Sequence, residues 1–132
     1  MATTTALITL ASTDLTNDNL SLSKTSTLTE AGNSTGLTQT SGAGRKTTAS
    51  VSEYTLLAAS DYTADKAHKL YLANTSSTAT EFFTVKINTQ EVGRIYAGDW
   101  CFLPWTAVTS ADIKITPSEA TTMTLEHMLL NE

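Results

Sequence analysis

Two histidines, one cysteine, one glycine-rich basic segment and one loop of Asp and Asn are the residues of this 132-residue chain that could carry chemistry. His68 and His127 could act as metal ligands or general bases, but they lie far apart and neither has metal-ligand spacing. His127 falls on the apolar phase of a strand-like segment, which predicts a partly buried structural side chain. His68 opens another strand beside Lys69 and is expected to be solvated. Cys101 sits between Trp100 and Phe102, whereas a reactive thiolate needs an electropositive setting. A small buried hydrophobe is the expectation there.

Ser41-Gly-Ala-Gly-Arg-Lys46 has the letters of a phosphate cradle without its spacing or a following helix. A glycine turn leading into a strand accounts for it. Asp14, Asn17, Asp18 and Asn19 could present hard oxygens to calcium, but no Glu stands at the twelfth position of an EF-hand loop. Turn formation by Asp and Asn side chains explains the same residues. Asn19, Asn33 and Asn74 open glycosylation-type triplets, which a chain with 27 threonines and 13 serines produces by chance. The sequence therefore predicts no catalytic residue, no metal and no cofactor. The chain is expected not to be an enzyme.

What must position these residues is a set of short strands. Threonine is β-branched and suits a pleated, half-buried surface. Strands are expected at 6–11, 20–29, 45–58, 69–74, 82–88, 91–96, 100–103, 112–116 and 122–129, each bounded by turn residues. The apolar phase changes near Tyr54, which predicts a bulge or a change of sheet. Ser60–Lys66 predicts a single helical turn capped by Ser60 or Asp61. Pro104 is expected to stop the strand that begins at Trp100. Together these segments predict an all-β fold: an antiparallel β-sandwich of jelly-roll type, with about 8–9 short strands and little or no helix.

The length fits one β domain over residues 1–132. Residues 1–53 form its Ser/Thr-rich part, without a Phe, Tyr or Trp, and 54–132 its aromatic-containing core. The first part could supply strands to a sheet or form an arm ordered on a neighbour. A net charge of −5 without a basic stripe disfavours nucleic acid. No apolar run approaches a membrane span, and the first residues do not form a convincing signal peptide.

The aromatic residues gather in Arg94–Trp105, which holds both tryptophans and the cysteine. In alternation, Trp100, Phe102 and Pro104 take one side and Cys101, Leu103 and Trp105 the other. A strand apolar on both sides is central to a sandwich or covered by another subunit. Tyr96, Trp100, Phe102 and Trp105 are the interface candidates.

Asp65–Thr75, Gly93–Trp100, Asp112–Pro117 and Met123–Leu129 resemble segments of small structural proteins of tailed phages. The resemblance implies a virion component assembled in the host cytoplasm, foremost a capsid decoration or cement protein. Its implied partners are the major capsid protein or other virion proteins, and copies of itself in a homo-oligomer, with a trimer favoured. A tail or head-fibre β-domain that binds host-surface glycans is the alternative. In that case the aromatic rings would be stacking platforms.

Overall fold

A computed structural model describes residues 3–15 and 17–132. The described residues are all-β, with eleven strands in antiparallel sheets and one 3₁₀ turn among them. It divides into two compact units, one ending at Thr38 and the other spanning Gln39–Glu132. The boundary between the units thus lies within the aromatic-free first 53 residues. Residues 39–53 belong with the aromatic unit because their strands pair with the last strand of the chain.

In the first unit, β1 (Thr5–Ser12) and β2 (Leu20–Thr27) form a ribbon of eight facing residue pairs, from Thr5↔Thr27 to Ser12↔Leu20. Facing residues in such a pair share one side of the sheet. Ala6, Ile8, Leu10, Leu20 and Leu22 therefore lie on one face, and serines and threonines dominate the other. Beyond β2 the chain turns at Gly32 (φ 68°) and returns, with Leu37 N donating to Leu28 O at 2.9 Å. Both of those leucines are buried.

The second unit is a two-sheet sandwich. One sheet has the order β5 (Tyr54–Leu57), β10 (Ile113–Pro117), β7 (Phe82–Ile87), β8 (Gln90–Tyr96). In the other, β11 (Met123–Asn131) pairs with β6 (His68–Asn74), which pairs with β9 (Trp100–Trp105). The far edge of β11 is lined by β3 (Gln39–Thr40) and β4 (Gly44–Thr48). The core lies between the sheets. Phe83, Val85, Ile95, Ile113 and Ile115 meet Leu70, Leu72, Trp105, Met123, Leu125 and Leu129 there. Apolar residues at every second position give each of these strands one inward side.

Several local expectations resolve into specific devices. The phase change near Tyr54 is a change of sheet, since β4 pairs with β11 and β5 with β10. Ser41–Ala43 is a bulge between β3 and β4, with Gly42 at φ 72°. Ser41 Oγ accepts from Leu129 N, and Ser41 N donates to Leu129 O, each at 2.9 Å. The helical turn spans Ala59–Asp61 and follows Ala58, so neither Ser60 nor Asp61 caps it. Instead Asp112 Oδ1 accepts from Ala59 N at 2.8 Å. Pro104 lies inside β9, where an edge strand tolerates the missing N–H.

One polar residue joins the two sheets. Asn74, 2% exposed, ends β6 and donates from Nδ2 to the carbonyls of Glu81 and Ile95, both at 3.1 Å. Its Oδ1 accepts from Ser76 N at 3.0 Å. Its backbone holds the corner between β8 and β9, donating to Asp99 O and accepting from Gly98 N. Each buried group left without a partner costs about 1–3 kcal/mol. Asn74→Ala is therefore expected to destabilise the second unit by at least about 3 kcal/mol, read as a lower urea midpoint. Asn74→Asp keeps the acceptor but sets a buried carboxylate oxygen against the Glu81 and Ile95 carbonyls, so it should recover none of that loss.

Candidate functional site: an apolar outer sheet face

The residues that could do chemistry are dispersed by the fold. Among the described residues no three His, Cys, Asp or Glu side chains form a group that could hold a metal ion. His68 is fully buried rather than solvated. Its phase matches Leu70 and Leu72, so the ring points into the core against Tyr62 and Trp105, with centroids 5.8 and 5.5 Å away. Nε2 lies 3.2 Å from Thr63 O, a carbonyl that can only accept, so this nitrogen is the donor of the pair. His127 is half-buried on the inward phase of β11, and burial pushes its pKa down. Its imidazole occupies the space over Gly44, the residue facing it on β4. A Cβ on Gly44 would lie 2.7 Å from His127 Cε1. Cys101 is half-buried, and burial pushes its thiol pKa up, away from thiolate chemistry.

The expected alternation of β9 is present. Cys101 and Leu103 pack against the core and Trp105 is inside it, 4% exposed. Trp105 is therefore a core residue and is removed from the interface candidates. Its indole N–H donates to Ala111 O at 2.8 Å, and its ring meets Tyr62 edge-on at 5.4 Å.

Trp100, Phe102 and Pro104 occupy the opposite side. The register carries that side across the sheet in three rows. Trp100 faces Ala73, which faces Glu126, which faces Arg45. Phe102 faces Tyr71, which faces Met128. Pro104 faces Lys69, which faces Leu130. Seven apolar or aromatic residues thus share the outer face of this sheet. Lys69 lies between Pro104 and Leu130 in the third row, and Arg45 and Glu126 pair at 3.1 Å beyond Ala73 in the first. Trp100 is 55% exposed, an unusual amount for the side chain type with most area to bury.

Tyr96 and Trp100 flank the Ala97–Asp99 turn, so the corner fixed by Asn74 presents both rings. Tyr96 is 45% exposed and stands on the outside of β8, opposite Phe82, with ring centroids 5.2 Å apart. The guanidinium of Arg94 lies 4.9 Å over the Phe82 ring. Sequence reasoning found Trp100 and Phe102 but missed Tyr71, Met128 and Leu130. Their outward phase, odd-numbered on β6 and even-numbered on β11, was readable. What joins them into one surface is register, which only the folded chain provides.

A second feature is a cleft of about 300 Å³ whose lining includes Thr75, Ser76, Thr78, Glu81, Thr122 and Thr124. Ser76 Oγ donates to one Glu81 carboxylate oxygen and Thr121 Oγ1 to the other, the latter at 2.5 Å. These bonds, Ser76 first and Thr121 second, hold the carboxyl below its ordinary 4.5, against the opposing effect of burial. Glu53 is lowered too, chiefly by the hydrogen bond from Lys86.

No family model, curated protein or solved structure matches the chain.

Two predictions come from this geometry. Trp105→Ala should cost about 3–5 kcal/mol of stability, whereas Trp100→Ser should change it by less than about 0.5 kcal/mol. Urea unfolding of both variants checks the difference. A carboxylate whose folded pKa is depressed stabilises above its unfolded pKa, and that contribution is lost as pH falls through the folded value. Thermal midpoints should therefore fall below about pH 4.5, and Glu81→Gln should fall less steeply over that acid range.

Proposed function

We propose that this chain is a non-enzymatic structural protein of a tailed-phage particle, attaching to its shell as a decoration or cement protein. The observation that carries the reading is the outer face of β9, β6 and β11, where Trp100, Phe102, Tyr71, Met128 and Leu130 form a continuous apolar surface. Exposed apolar patches rimmed by polar residues mark protein interaction sites. Buried aromatic anchors inside a polar rim are the usual arrangement of binding energy at such sites. The virion context rests on the resemblance of the quoted segments. The major capsid protein or another virion protein is the proposed partner, in a homo-oligomeric arrangement on the particle.

The glycan-binding alternative has less support in this geometry. Sugar stacking favours open ring faces, but the Phe82 and Tyr96 rings are tilted by 46° and Arg94 covers Phe82.

The test is to quantify this chain in purified particles from a host that produces it, beside a Trp100→Ser/Phe102→Ser variant. Many copies per shell, reduced at least about tenfold in the double variant, are the expected result; tenfold is the loss of only about 1.4 kcal/mol of binding. Particles without the chain would overturn the virion reading. Unchanged incorporation of the variant would overturn the role of this face. Binding of purified glycans by the isolated chain would favour the alternative.

A further inference from the structure

The ribbon of the first unit has an apolar face of its own, and the proposed attachment does not use it. Ile8, Leu10, Leu20 and Leu22 share that face and are 38, 50, 38 and 49% exposed. A two-stranded ribbon alone is marginally stable in water, and it gains from any layer placed against its apolar side. We propose that this layer is the same ribbon of a second copy, stacked face to face and antiparallel about a two-fold axis through the Leu10/Leu22 pair.

Charge selects this occupant and this orientation. The sixteen strand residues contain one charged side chain, Lys24, which lies on the apolar face opposite Ile8. Leu10 and Leu22 then rest on their own counterparts, Ile8 on the partner's Ser12 and Lys24 on the partner's Leu20. Residues two apart on a strand are separated by about 6.8 Å, so the two lysines stand about 14 Å apart along the strands. That exceeds the screening length of about 8 Å at physiological salt. A parallel stack would instead bring both lysines into one layer.

The antiparallel stack also supplies a counter-charge. Ser12 Oγ donates to Asp14 Oδ1 at 3.0 Å, holding a carboxylate beside the end of the ribbon. The lysine stem covers Leu20 while its ammonium reaches toward the partner's Asp14. Apolar residues thus meet apolar residues, and the lone cation of each ribbon meets an acid of the other. Such an isologous contact closes at two copies. It is independent of the attachment face, which belongs to the other unit.

Sedimentation equilibrium of the full chain at micromolar concentration tests this. The wild type should sediment at twice the 14.1 kDa chain mass, and Leu22→Asp at the single-chain mass. Because Leu22→Asp could also disturb the ribbon, a charge series accompanies it. Lys24→Asp should weaken the dimer about fivefold, and Lys24→Asp/Asp14→Lys should restore it. A wild type of one-copy or three-copy mass would overturn the proposal, and so would a charge series with no effect. None of these results bears on particle incorporation through Trp100 and Phe102.

Discussion

The second unit is organised around the hydrogen bonds of Asn74. Two sheets in a sandwich are otherwise joined by apolar contact, which is strong but not directional. Asn74 adds direction. It sits at the end of β6 in one sheet and binds the carbonyl of Ile95 in the other. It also binds Glu81 O, Ser76 N and the turn at Gly98 and Asp99. A buried amide satisfied on all sides is worth more than its pairwise bonds suggest, because the alternative is several orphaned groups. The chain crosses from β8 to β9 at this point, so the amide fixes where the Tyr96–Trp100 corner stands. The exposed rings are supported from below by a residue that cannot shift without losing its partners.

That support matters because the five-stranded sheet is apolar on both sides. The inward side is explained by the core. The outward side has no such explanation within the unit, and its content is not that of a solvated strand face. Phe102, Tyr71 and Met128 form one cross-strand row, with Trp100 and Pro104 on either side of Phe102 along β9. Cross-strand neighbours of this kind stabilise a sheet by covering one another. This accounts for the partial burial of Phe102, Tyr71 and Met128 while Trp100, at the end of β9, stays open. Rings already placed by the register of a sheet lose little conformational entropy on binding.

The sequence carried the alternation of β9, the strands that became β7 and β8, and a break near Tyr54 that could be a bulge or a change of sheet, because all three are local signals. Period-two patterning reports which side a residue takes and nothing about what lies opposite. Trp105 and Trp100 are both tryptophans on one short strand, and only their phase separates core from surface. His68 was misplaced because lysines stand near it at 66 and 69; its phase with Leu70 and Leu72 was the better guide. Pro104 was read as a strand end, yet on an edge strand its missing N–H breaks no pair. Asn74 was visible only as a chance glycosylation triplet. Its importance comes from two carbonyls at Glu81 and Ile95, 7 and 21 residues away, and no local pattern announces that.

The abundance of threonine acquires a physical role in this setting. Exposed strands need polar surface to stay soluble and need β-branched side chains to stay extended. Charged residues meet the first demand but repel their own kind wherever identical copies pack closely. Threonine meets both demands without charge. Thr47 and Thr124 face one another across β4 and β11 with hydroxyls 2.9 Å apart, and the ribbon's second face is built largely of serine and threonine. Lys24 is the one charged residue of the ribbon's two strands, and Arg45 pairs with Glu126 on the outer sheet face.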